Sequence, residues 1–265
     1  MNRAISPEAT QKNLTNAIIK SHNHLGYSAI DWFGWMLDDC LAGFGKRLEK
    51  PWSDQQTKHL FELGGLYADT VFKNAYKDVL GGVYQELSSN YGRKALAQYF
   101  SPYAIASCMA KISYNADIFE KNKVVRVAEP AAGSGVMVLA FVGNLVDENP
   151  GYLEKVSLCC VDLDLTCVKM STLQIMANNF IHAPKLGELL CLRGNSLGDP
   201  KELTTFFHAS TTNFDNWSKE QDAIDKLDFV VSPQLEEIAN ETEQETEVVF
   251  IQPKKQMSIM DFFGA

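Results

Sequence analysis

Apolar and polar positions along the chain change period near residue 120. Over the first ninety residues the apolar positions recur at three- and four-residue spacing, the mark of amphipathic helices. Ser6, Pro7 and Glu8 read as an N-cap, a first-turn proline and an early acid, opening a helix that runs to about Lys20. Residues 27–44 set Trp32, Trp35, Met36, Cys40 and Leu41 at helical spacing, and this dense aromatic face calls for a packing partner. A third helix is expected from near Ser53, with Asp54 in its first turn, into the seventies. Residues 78–92 follow, with a break expected at Gly81 and Gly82.

Beyond residue 120 the pattern becomes one of short apolar runs: 124–128, 157–164, 188–197 and 226–233. The stretches 135–146 and 166–180 between the first three have helical length and spacing. Strand alternating with helix predicts parallel crossovers in an α/β sheet. Residues 236–247 hold six Glu and no base, reading as a solvated linker or frayed helix, and the last eighteen residues turn apolar and aromatic again. The expected organisation is a helical region over 1–92, an α/β domain over 93–235, and an acidic linker with an apolar peptide over 236–265.

Composition narrows the class. With 265 residues, 46% apolar and 22% charged, the chain is neither disordered nor fibrous. It has no apolar run of membrane-spanning length and its first residues lack a signal-peptide core, so a cytoplasmic location is expected. A net charge of −9 does not advertise nucleic acid as a partner, though a local basic stripe is compatible with it. The six cysteines form no C-x-x-C and no zinc-ligand spacing, and Cys159 and Cys160 read as small buried hydrophobes. The five histidines form no catalytic pattern, and no metal site is expected.

Candidate chemistry sits at the strand ends. The first run leads into Glu129-Pro130-Ala131-Ala132-Gly133-Ser134-Gly135. Gly133 and Gly135 would let backbone approach a ligand at the carboxyl edge of a parallel sheet, with the next helix N-terminus aimed at it. A bare strand-to-helix turn favours the same residues. The second run ends in Val161-Asp162-Leu163-Asp164. Asp162 is placed to accept hydrogen bonds from ribose hydroxyls, and Asp164 to cap the following helix. Asn195, after the third run, is placed to face an adenine amino group, and Ser232-Pro233 ends the fourth.

These motifs resemble, in order and spacing, those of the N6-adenine DNA methyltransferases, most closely the modification subunit of type I restriction systems. Residues 97–102, ending in Phe100-Ser101-Pro102, are similar to the family's G-Q-x-F-T-P. EPAAGSG resembles its D-P-A-C-G-S-G, VDLD its V-E-I-D and RGNSL its G-D-x-L. The resemblance covers about residues 78–235 and implies a Rossmann-like S-adenosylmethionine-binding sheet behind a helical domain. It implies S-adenosyl-L-methionine contacts at Phe100, Ser101, Pro102, Glu129, Ala131, Gly133, Gly135, Asp162 and Asn195, and catalytic roles for Ser232 and Pro233. The expected activity is adenine-specific DNA methylation, with DNA reached through a partner specificity chain.

The departures point the other way. Where the family has [NDS]-P-P-[YF], this chain has Ser232-Pro233-Gln234-Leu235, without the second proline and the ring that stacks on a flipped base. Asn195 replaces an aspartate and Glu129 another, and only 33 residues follow Ser232, so a sheet shortened in its C-terminal half is expected. The alternative to an active enzyme is a catalytically impaired adaptor that binds S-adenosylmethionine or a DNA complex beside a partner chain. Finally, Gln256, Ile259, Phe262 and Phe263 resemble a peptide that docks on DNA sliding clamps, while the same residues would also serve to cover an open sheet edge.

Overall fold

A computed structural model describes residues 7–48, 51–90, 100–182 and 185–222. Four helices come first: α1 (Pro7–Leu25), α2 (Ala29–Ala42), α3 (Asp54–Lys73) and α4 (Leu80–Asn90). Ser28 and Ser53 open α2 and α3 with reciprocal capping boxes to Asp31 and Gln56, which satisfy the first-turn N–H groups. The break expected at Gly81 and Gly82 is absent, because both lie inside α4. A side chain at Gly81 would collide with the Asp78 carboxylate, and one at Gly82 with the Gln11 amide. Close packing, rather than helix termination, accounts for the pair.

Helices α5 (Tyr103–Ser113) and α6 (Ala116–Lys121) lead into the sheet, and α6, a short helix started by the Asn115 side chain, was not anticipated by the sequence pattern. Strands β1 (Val125–Glu129), β2 (Val156–Asp162) and β3 (Glu188–Arg193) are parallel and adjacent in that order. They are joined through α7 (Val136–Glu148), a 3-10 turn (Pro150–Lys155) and α8 (Leu165–His182). This is the expected α/β unit of parallel crossovers. All but the last residue of β2 is buried, which explains why it reads as a continuous apolar run.

A fourth strand, β4 (Thr204–Ser210), pairs antiparallel with β3 and was not expected. Only Phe207 in it is buried, so it lacks the apolar run of its neighbours. A bulge between Cys191 and Leu192 leaves Phe206 without a ladder partner. Lys46 takes up that residue: its Nζ donates to the Phe206 carbonyl at 2.6 Å and stands 4.1 Å from the ring centroid. The expected fourth parallel run, 226–233, lies outside the described residues. A helix over 212–222 does run beside β1, where Arg126 Nη2 donates to Asp222 Oδ1 at 2.5 Å and to Ser218 Oγ at 3.3 Å. Among the described residues no strand pairs with that outer edge of β1.

Helix α8 is buried nearly all round and has no polar face. Its Cys167, Met170, Leu173 and Ala177 enter the core built by α1–α4, around Trp32, Phe33 and Leu63. Its Val168 and Ile175 enter the second core, between the sheet and α7, around Leu158, Leu139 and Cys191. Lys169 reinforces the junction with an ion pair to Asp38 on α2. Cys159 and Cys160 are buried as expected, and all six thiols are free. Among the described residues no helix is long and apolar enough to cross a membrane.

Candidate functional site

The parallel register brings the carboxyl ends of β1, β2 and β3 to one edge: Glu129 lies opposite Cys160, and Asp162 opposite Arg193. The loop from Glu129 to Gly135 wraps over that edge and is held almost entirely by the protein. Glu129 Oε1 accepts from Ala131 N at 3.1 Å, and the Val161 carbonyl accepts from Ala132 N at 2.9 Å. Gly133 N donates to Asp162 Oδ2 at 2.8 Å, and Gly135 N to the Ala132 carbonyl at 2.7 Å. The amides of Ala131, Ala132, Gly133 and Gly135 are therefore spent on fixing the loop's own shape, and the first turn of α7 adds further amides at the same edge.

The two glycines have different physical reasons. Gly133 adopts φ +55° and faces Phe100, whose ring would lie 3.2 Å from an added Cβ. Gly135 adopts φ +96° as the N-cap of α7, and an added Cβ would lie 3.1 Å from the Ser171 Cα of α8. Gly135 is thus demanded by the close approach of α7 and α8, a need that sequence alone did not disclose.

Asp162 is oriented twice over. Oδ2 takes Gly133 N, and Oδ1 takes Asp164 N at 2.9 Å. A carboxylate offers about four acceptor positions, so two remain for hydroxyl donors. Asp164 caps α8 as expected, accepting from Thr166 N at 2.6 Å and Cys167 N at 3.3 Å. Gly194 N donates to the Asp162 carbonyl at 3.0 Å, which brings Asn195 beside the acid. The Asn195 side chain is exposed, and its carbonyl accepts from Leu197 N at 3.0 Å, closing a turn. The expected acceptor for an adenine amino group is therefore already part-used, while the amide N–H groups are donors.

Phe100 meets the loop through Gly133 and packs at a tilt of 54° against Tyr84 of α4, centroids 6.3 Å apart. Ser101 and Pro102 are exposed in the turn that starts α5, and Ala131 is exposed at the crest of the loop. The structure thus brings Phe100, Glu129, Ala131, Gly133, Gly135, Asp162 and Asn195 around one sheet edge, with Ser101 and Pro102 adjoining through Phe100. Ser232, Pro233 and the clamp-like residues Gln256, Ile259, Phe262 and Phe263 lie outside the described residues.

Two neighbours were missed in the sequence. Leu163 is 69% exposed and Leu197 94% exposed, one directly after Asp162 and the other two residues after Asn195. An apolar residue set among polar and glycine residues at a strand end is the sequence signal that points to them. Together the site holds a fixed carboxylate with spare acceptors, exposed apolar side chains beside it, an amide donor and a helix N-terminus. That set fits a ligand with ribose hydroxyls, a flat heterocycle and a carboxylate. Burial raises the thiol pKa of Cys167 beneath the site, and Asp162, Asp164 and Asp78 add to the rise, so the thiol is protonated and unreactive at neutral pH.

Comparison with known proteins agrees with this chemistry. The N-6 DNA methylase family model matches residues 75–257, more than half of the chain. The protein belongs to the N-6 DNA methylase family, a methyltransferase class whose cofactor is S-adenosyl-L-methionine. No curated protein matches the chain. Among solved structures, one from Listeria monocytogenes described as a class I S-adenosylmethionine-dependent methyltransferase superposes with a TM-score of 0.43 at 16% identity. That match covers 72% of this chain and 54% of the Listeria chain, so it spans about half of the longer protein.

Proposed function

We propose that this chain is an adenine-N6 DNA methyltransferase, or the cofactor-binding part of one, with its cofactor held at the carboxyl edge of β1–β3. The observation that carries the reading is the hydrogen bond between Gly133 and Asp162, which joins the glycine loop to the acidic strand end in the form an adenosine-bearing ligand needs. Asp162 would accept from the ribose hydroxyls, with Leu163 and Leu197 against the faces of the heterocycle and Asn195 at its edge. Phe100, Ser101, Pro102, Glu129, Ala131, Gly133 and Gly135 would form the wall on the amino-acid side, where the first turn of α7 favours a carboxylate. Bound S-adenosylmethionine supplies a methyl group already activated on a sulfonium.

Ser232 and the Pro233 carbonyl would accept hydrogen bonds from the amino group of a target adenine and so orient its nitrogen. This is catalysis by positioning, with no general base of shifted pKa. The helix over 212–222 supports the assignment, because it delivers the chain to the outer edge of β1 at Asp222, ten residues before Ser232. Leu235 offers no ring for a flipped base, so a partner chain would supply base stacking and sequence selection.

A second reading, an impaired relative that binds cofactor without transferring methyl, is favoured by Gln234 and Leu235 in the catalytic motif. Incubation with labelled S-adenosylmethionine and mixed-sequence DNA, followed by nucleoside analysis, separates the two. N6-methyladenine above background supports the enzyme. Its absence in protein that binds cofactor supports the second reading.

A further inference from the structure

The cofactor loop is gripped from outside the α/β unit. Ser134 sits between Gly133 and Gly135 and is completely buried. Its hydroxyl donates to Asp78 Oδ2 at 2.5 Å, across 56 residues, and its carbonyl accepts from Gln174 Nε2 of α8 at 2.7 Å. Asp78 lies in the connection between α3 and α4. Its other oxygen accepts from Gly81 N at 2.8 Å and from Gln174 Nε2 at 2.9 Å. Gln174, also completely buried, completes the network by accepting from Val79 N at 2.8 Å and Leu80 N at 3.0 Å. One turn on, Asn178 accepts from Tyr76 N at 2.7 Å.

We propose that Asp78 is a positioning residue for the cofactor site: through Ser134 it ties the loop conformation to the start of α4, so that the N-terminal helices form part of the binding machinery. The inference rests on the cofactor reading above. The hydroxyl and the carbonyl of Ser134 are committed to this network, and the adjoining Gly133 amide holds Asp162. A shift of Ser134 therefore reaches the ribose-binding carboxylate through one residue. Gly81 is explained by the same contact, since an added Cβ there would lie 2.8 Å from the Ser134 hydroxyl.

The test compares Asp78→Ala, Asp78→Asn and Ser134→Ala with Leu14→Ala, a fully buried core position of α1 that takes no part in the network. Two quantities are read well below the melting temperature: amide hydrogen exchange of residues 131–137 without ligand, and the Kd for S-adenosylmethionine by calorimetry. Asp78→Ala is expected to speed exchange in the loop and weaken binding, each by about tenfold. Asp78→Asn keeps a carbonyl acceptor for Gly81 and Gln174 and is expected to stay within about threefold of the parent. Leu14→Ala is expected to lower the melting temperature while moving neither quantity. If Asp78→Ala does not fold, Ser134→Ala removes the direct hydroxyl link to Asp78, leaves the carbonyl on Gln174, and is expected to change both quantities in the same direction. Unchanged exchange or an unchanged Kd in whichever of Asp78→Ala and Ser134→Ala folds, or an equal change in Leu14→Ala, overturns the proposal. If the parent chain binds no S-adenosylmethionine, the cofactor reading fails, and the exchange comparison still decides the role of Asp78.

Discussion

Gly133 and Asp162 stand 29 residues apart in the chain and are joined by one 2.8 Å hydrogen bond from the glycine amide to the acid. The loop after β1 and the carboxylate at the end of β2 are therefore one structural unit. Asp162→Ala would remove the proposed ribose acceptor and also the bond that holds the loop. Hydrogen bonds to a charged group contribute about 1.5–3 kcal/mol each, so cofactor Kd is expected to rise by about 100-fold or more. Asp162→Asn keeps one acceptor for an amide and should fall between parent and alanine variant. Calorimetric titration of the three proteins checks the order.

The glycines give opposite expectations for the same substitution. Gly135→Ala places a Cβ against the Ser171 backbone at φ +96° and should destabilise the fold by about 1–3 kcal/mol. Gly65, inside α3, has open space where a Cβ would stand. Gly65→Ala should therefore stabilise by about 0.5–1 kcal/mol. Denaturant midpoints of the two variants test the pair, and equal effects would contradict the packing assignment of Gly135.

Much of the fold is legible in the sequence because burial imposes its period. The parallel strands β1–β3 announce themselves as short apolar runs, and α7 and α8 as helical stretches between them. β4 does not, because an edge strand with a bulge needs only Phe207 buried. Gly81 and Gly82 mislead for a related reason: propensity says break, while Ser134 beside Gly81 and Gln11 beside Gly82 come from elsewhere in the chain. At the site, Gly133, Asp162 and Asp164 are legible from motif spacing. Asp78 and Gln174 are not, since they act on Ser134 across 56 and 40 residues.

Leu163 offers a test that separates binding from stability. It is 69% exposed, so Leu163→Ser should leave the melting temperature of the ligand-free protein within experimental error. If the side chain covers the heterocycle of the cofactor, losing that burial is worth about 1.5 kcal/mol and raises Kd about tenfold. A normal Kd would remove Leu163 from the site.

The thiols predict an alkaline limit to stability. Burial pushes Cys40 up to about 12, helped by Asp39, and burial pushes Cys159 up to about 12, helped by Cys191 and Glu188. The folded state thus keeps protons that the unfolded chain releases near the ordinary thiol value of 9.0. Their contribution is fully present below about pH 9 and is lost as pH rises towards 12. Denaturant midpoints should fall steadily between pH 9 and 11, and Cys108, the one exposed thiol among the six, should react first with a thiol reagent at pH 7.5. A midpoint that is flat or rising over that range would contradict the assignment.

The most direct measurement is a calorimetric titration of the intact chain with S-adenosyl-L-methionine. Saturable binding at one site per chain is expected, weakened about 100-fold or more in Asp162→Ala, with the fold stabilised by about 2.7 kcal/mol when free ligand stands at 100 times Kd. No heat of binding and no stabilisation at millimolar S-adenosylmethionine would contradict it.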